Sequence, residues 1–222
     1  MKRARQFLMV GVFFLINGGL TWSDGKIETV RPDGQPNRAA WMAEGTFGIM
    51  THYLVQPQGN TPAEKTADLN RIVNQFDLDF YIRQIEETGA DWLIFTLAQG
   101  TGYLSSRCDT IDRLEKGYSP ERDLVREIGQ RLHGRGKKLI IYLPGPYAGS
   151  DPTIKRLLGL GSEGFIDRHN AFIREYAAGL GRLLDGWWFD SCGPQDNALW
   201  QKEMEACRAG NPEAVVAFSG AE

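Results

Sequence analysis

The chain is 222 residues long, 42% hydrophobic and 24% charged, with a formal net charge of −3 at pH 7. That composition belongs to a globular protein able to bury a sizeable core and excludes a disordered or low-complexity chain. No Lys/Arg stripe accompanies the balance, which excludes the electrostatic footprint of a nucleic-acid binder and leaves neutral or mildly charged ligands.

In chain order, Lys2, Arg3 and Arg5 precede an apolar run over residues 7–16, and small and polar residues follow at Gly18, Gly19, Thr21 and Ser23. This order predicts a secretory signal peptide over residues 1–23. The run is too short for the ~20 residues of a membrane span, and no Cys follows it to carry a lipid anchor. A secreted or periplasmic protein is expected, with no membrane association after cleavage. Residues 24–40 are polar and Pro/Gly-rich and read as an extended arm. Residues 41–222 then form one domain. Cys108, Cys192 and Cys207 are too few for a disulfide scaffold and lack the spacing of a zinc site. A Cys108–Cys192 bridge and three free thiols both stay open, and no metal is expected.

Within the domain, apolar runs at residues 46–52, 92–97, 139–143, 186–190 and 214–218 predict strands. Helical patterns lie between them. Residues 77–88 put Leu78, Tyr81, Ile82 and Ile85 on one stripe and stop at Gly89. Residues 120–133 begin after Ser119 with Pro120 in the first turn, residues 165–184 carry an apolar stripe from Phe165 to Leu184, and residues 197–208 form a last helix. Strands that are apolar throughout and alternate with helices call for a parallel sheet. A dinucleotide-type Gly-rich turn is missing, because Gly100 and Gly102 lack a third glycine. Polar or aromatic residues instead close the strands: His52, Gln99, Tyr142 and Asp190. In a (β/α)8 TIM-type barrel such positions converge on the active-site face. An α/β barrel is therefore predicted, truncated after its fifth strand, since a complete one takes eight βα units. His133 and His169 fall in helical patterns and read as surface or helix-packing residues.

Asp190 ends the run Trp187-Trp188-Phe189 and enters the turn Ser191-Cys192-Gly193-Pro194. A carboxylate leaving a barrel core at that point can attack an anomeric carbon if a second carboxylic acid protonates the leaving group. It can equally cap the next helix.

Several short pieces in order resemble the family 29 glycoside hydrolases, the α-L-fucosidases, over roughly residues 41–190. Trp41-Met42 with Phe47-Gly48-Ile49-Met50-Thr51-His52-Tyr53 is similar to the family's opening W…FG-[IL]-F-x-H-W-G. Thr88-Gly89-Ala90-Asp91-Trp92-Leu93-Ile94-Phe95-Thr96 is similar to A-G-A-K-Y-x-x-L-T, and Arg122-Asp123-Leu124-Val125 to R-D-x-V. Tyr142-Leu143-Pro144 stands at the G-x-Y-Y-S strand, and Trp188-Phe189-Asp190 reads as W-F-D-G. The resemblance implies a retaining glycosidase on a glycan substrate, with Asp190 as nucleophile, His52 on sugar hydroxyls, and Tyr142 and Trp188 lining the pocket. An indole suits a sugar's C–H face, although plain barrel-wall packing also accounts for Trp188. No cofactor is implied, because the carboxylate pair suffices.

One motif departs. The family's K-H-H-D-G-F becomes Ala98-Gln99-Gly100-Thr101-Gly102-Tyr103 here, so Gln99 and Tyr103 are the candidate sugar contacts in place of the histidine pair. Gln99 can donate and accept, while Gly100 leaves space for a bulkier or modified sugar. The acid/base is unassigned in the sequence. Glu222, after Phe218-Ser219-Gly220-Ala221, is the leading candidate, with Glu44, Asp109 and Asp112 behind it. A non-catalytic carbohydrate-binding barrel derived from such an enzyme is the alternative function.

Overall fold

A computed structural model of the chain describes residues 9–11, 34–35, 37–145, 152–192 and 197–220. Five short segments rich in β-branched and aromatic residues form parallel strands: Gly48–His52 (β2), Trp92–Thr96 (β3), Lys138–Pro144 (β4), Gly186–Asp190 (β5) and Val215–Phe218 (β6). They pair in sequence order. A three-residue strand, Met9–Gly11 (β1), pairs antiparallel with β2 along that edge. It lies inside the stretch read as a signal peptide. β4 runs two residues past Tyr142, to Pro144, so Tyr142 sits inside its strand rather than at the tip.

The helices are Ala40–Glu44 (α1), Pro62–Asn74 (α2), Leu78–Thr88 (α3), Asp109–Leu114 (α4), Leu124–His133 (α5), Pro152–Leu158 (α6), Phe165–Leu180 (α7) and Asn197–Cys207 (α8). α3 packs on α5, α5 on the 3-10 turn Gly181–Leu183 that follows α7, and α7 on α8. The helices thus repeat the order of the strands. A doubly wound sheet reverses its order at a switch point, and no reversal occurs among the described strands. The fold is α/β with a five-strand parallel sheet, consistent with part of a TIM-type barrel. None of the described helices is long and apolar enough to cross a membrane.

Several boundaries differ from the sequence reading for local reasons. α5 starts at Leu124, not Pro120, because Asp123 caps it by accepting from Arg126 N at 3.3 Å. Glu121 N is bound to Asn70 Oδ1 at 2.8 Å, which ties the preceding residues into a loop. α7 stops at Leu180, where Gly181 turns to φ 58. α2 was not predicted. It buries only Leu69 and Val73, and it announces itself through its start, where Thr61 and Glu64 form a capping box ahead of Pro62.

Along β3, β4 and β5, side chains alternate between faces. Leu93, Phe95, Leu139, Ile141, Leu143, Trp187 and Phe189 join one core with Ile82, Ile85, Val125, Ile128, Phe172 and Ile173 from the helices. Burying each of the large side chains stabilises the fold by about 1.5–3 kcal/mol. Met50, Ile140 and Tyr142 are buried outside that cluster, on the opposite face.

At the N-terminal end of the sheet, Asp185 accepts from His133 Nε2 at 2.8 Å, Lys138 Nζ at 2.9 Å and Leu139 N at 3.0 Å, locking α5, β4 and the start of β5 together. His133 is therefore part of a hydrogen-bonded network around the Lys138–Asp185 ion pair. His169 is buried against Phe165, Phe172 and Phe189. All three cysteines are buried free thiols, so the Cys108–Cys192 bridge is not formed. Burial pushes the thiols of Cys108 and Cys192 up to about 12.

Candidate active site

The face turned away from the helix core is built in rungs. Met50, Ile94, Ile140, Gly186 and Val215 stand side by side, then Thr96, Tyr142, Trp188 and Ala217, then Pro144 and Asp190. His52 has the parity of Met50 and closes β2. Period-two alternation thus puts His52, Tyr142, Trp188 and Asp190 on one face, towards the C-terminal ends of their strands.

Their contacts join them into one cluster. Tyr142 Oη donates to Asp190 Oδ2 at 2.8 Å. The Tyr142 ring meets the His52 ring edge-on at 5.5 Å and the Trp188 ring edge-on at 6.1 Å. His52 Nδ1 donates to Gln99 Oε1 at 2.6 Å, a bond that leaves Nε2 out. Burial, and then the neighbouring Asp190 carboxylate, hold the Tyr142 phenol above its ordinary value, so it stays a donor.

Asp190 Oδ1 is also held. It accepts from Ser191 N at 2.8 Å and from Ser219 Oγ at 3.1 Å. Ser191 has φ 53, making it the one non-glycine residue with positive φ among the described residues. This left-handed backbone turns the chain out of β5. Cys192 N then donates to Ser219 O at 2.8 Å. Gly145 closes the other side: its N donates to Asp190 O at 2.5 Å, and a Cβ there would stand 2.6 Å from Cys192 Sγ.

The remaining candidates make contacts of other kinds. Tyr103 stacks on Tyr118, centroids 5.1 Å apart. Gly100 has φ 75, and a Cβ built on it meets nothing within 4 Å, so the space beside Gln99 is open. Glu44 ends α1 ahead of β2, at the opposite end of the sheet. Asp109 and Asp112 lie in α4, where Glu175 accepts from Asp109 N at 2.5 Å. Glu222 lies outside the described residues. Ser219 was not singled out in the sequence. The signal for it is register: Phe189 pairs with Phe218, so the residue directly after β6 comes beside Asp190. A cavity of about 20 Å³ lined by Leu143, Gly145, Phe165, His169 and Phe172 lies behind β4, on the helix side, with room for roughly one water. No groups of His, Cys, Asp and Glu that could hold a metal occur among the described residues.

No protein-family model matches this sequence, and no curated protein matches it. Solved structures do share its fold. The endo-fucoidan hydrolase MfFcnA9 from glycoside hydrolase family 107 superposes with a TM-score of 0.55 at 22% identity, over 82% of this chain and 39% of that one. Unliganded alpha-L-fucosidase AlfC from Lactobacillus casei gives 0.56 at 14% identity, over 81% of this chain and 68% of that one. Thermotoga maritima alpha-fucosidase with a mechanism-based inhibitor gives 0.50 at 20% identity, over 69% and 38%. The chain spans 39% of the length of MfFcnA9. These neighbours are fucose-acting glycoside hydrolases of more than one kind, and what this chain shares with them is the fold.

Proposed function

We propose that this chain carries the nucleophile side of an exported, retaining glycoside hydrolase acting on fucose or a substituted fucose-like sugar, with Asp190 as the nucleophile. The observation that carries the reading is the cluster itself: a strand-end carboxylate held by three donors and walled by Tyr142, Trp188 and His52. It stands in a fold that fucose-acting enzymes share. In-order parallel strands with in-order helices support a barrel to which the described strands contribute five staves. His52 Nε2, Gln99 and the Trp188 face are suited to sugar hydroxyls and a C–H face.

The open space at Gly100 supports a sugar that bears a substituent or a further glycosidic link on that side. The leader-like order of residues 1–23 supports export, and cleavage there would remove β1 from beside β2. The loss of the histidine pair favours a second reading, a non-catalytic sugar-binding barrel.

One experiment separates the two. The full-length protein is incubated with a panel of aryl glycosides and with fucan oligosaccharides, and the first-formed product is followed by proton NMR. Release of a fucose-type sugar with retained anomeric configuration supports the enzyme. Binding without turnover supports the second reading, and an inverted product contradicts a nucleophile.

A further inference from the structure

We infer that Ser219, at the end of β6, is a positioning residue for Asp190, fixing which carboxylate oxygen faces the sugar. The inference rests on the function proposed above, in which Asp190 attacks the anomeric carbon.

The two oxygens of Asp190 are held differently. Oδ2 accepts from Tyr142 Oη, whose ring touches His52 and Trp188, so Oδ2 is the oxygen on the pocket side. Oδ1 accepts from Ser219 Oγ and Ser191 N, both on the turn side. A carboxylate pivots freely about its Cβ–Cγ bond unless both oxygens are held. One donor on Oδ1 comes from the residue next in sequence and moves with Asp190. Ser219 is the donor that comes from the end of another strand, one residue past β6, and it ties the carboxylate to the sheet.

The backbone fixes Ser219 for this task. Its N donates to Phe189 O and its O accepts from Cys192 N, both at 2.8 Å. The serine is thus laced on both sides of the turn that carries Asp190. Its hydroxyl can donate because it needs no second partner to do so. A nucleophile misaimed by a fraction of an ångström loses rate while substrate affinity is retained, since positioning acts on the approach to the transition state. Ser219 acts through Asp190 and has no contact with substrate in this scheme.

The test uses the full-length protein and 2-chloro-4-nitrophenyl α-L-fucoside, with Ser219→Ala, Ser219→Thr and Asp190→Asn measured beside the wild type. A lost hydrogen bond to a charged group corresponds to about a tenfold to hundredfold effect. Ser219→Ala is expected to lower kcat by about tenfold with KM within about twofold. Ser219→Thr, which keeps the hydroxyl, should recover most of kcat, and both melting temperatures should match the wild type. Unchanged kcat in Ser219→Ala with Asp190→Asn inactive overturns the Ser219 assignment alone. A rise in KM with kcat intact, or Thr behaving like Ala, also overturns it. Full activity in Asp190→Asn, or a wild type inactive on this substrate and on the glycoside and fucan panel alike, overturns the proposed function and this inference together.

Discussion

Tyr142 and Asp190 are joined across neighbouring strands by a 2.8 Å hydrogen bond in which the phenol donates to Oδ2. Tyr142 pairs in register with Trp188, and Asp190 with Pro144, so the bond reaches diagonally up one rung. Tyr142→Phe removes that donor and keeps the ring. Activity as kcat/KM is expected to fall about 10- to 100-fold, the range for a hydrogen bond to a charged group, with the fold unchanged by circular dichroism. Activity within twofold of wild type would show that the phenol has no part in the chemistry.

The His52–Gln99 bond makes a second prediction. Gln99→Leu frees the imidazole to turn, and the ordering bond is worth about 1 kcal/mol. KM for the sugar is expected to rise about fivefold to tenfold, read from steady-state kinetics, with kcat less affected. Because the family's histidine pair is replaced by Gln99 and Gly100, plain aryl α-L-fucosides should also be turned over poorly relative to a substituted or linked fucoside. Efficient hydrolysis of the plain aryl fucoside would remove the specificity argument.

At the other end of the sheet, burial alone would raise the Asp185 carboxyl, but bonds from His133, Lys138 and Leu139 N outweigh it and hold the group below its usual range. A depressed carboxyl contributes stability that is present above the unfolded value of about 3.9 and lost as pH falls through the lower folded value. Asp185→Asn leaves His133 and Lys138 without their anion and is expected to cost about 2–4 kcal/mol at pH 7, measured by urea unfolding. A change under about 0.5 kcal/mol would contradict the network's role.

His169 supplies the pH dependence nearer neutrality. Burial pushes its imidazole down to about 4, whereas the unfolded ring titrates near 6.5. The unfolded chain takes up its proton first as pH falls, so this contribution is whole above about 6.5 and is lost progressively towards about 4. Urea midpoints should fall between pH 7 and pH 5 in the wild type. The fall should be smaller in His169→Phe; equal slopes in the two proteins would contradict the assignment.

Sequence periodicity carried much of this fold. The runs that became β3, β4 and β5 are apolar through their middles, with polar residues only at their ends, and Gly89, Asp77 and the stripe of Leu78, Tyr81, Ile82 and Ile85 marked α3 nearly to the residue. α2 escaped because its stripe is thin, two buried residues on a charged helix, and its capping box is a stronger signal than its apolar pattern. His52 and Asp190 were legible by strand-end position, and Tyr142 and Trp188 as pocket-lining residues through the family resemblance. Ser219 was not, because its role depends on which residue after β6 stands beside Asp190, a matter of register between strands that no single segment encodes. Tyr103 stacks on Tyr118 in the loop after β3, where an aromatic can meet a neighbouring ring as readily as a sugar.

The central claim is that Asp190 forms the covalent bond to the sugar, and chemical rescue tests it most directly. Asp190→Gly removes the carboxylate and leaves a gap beside Tyr142 Oη and Ser219 Oγ large enough for a small anion. The full-length variant should lose activity on an activated aryl glycoside by several orders of magnitude, and added azide should restore turnover with formation of the glycosyl azide of inverted configuration. Wild-type-like turnover by the variant without azide would contradict the account.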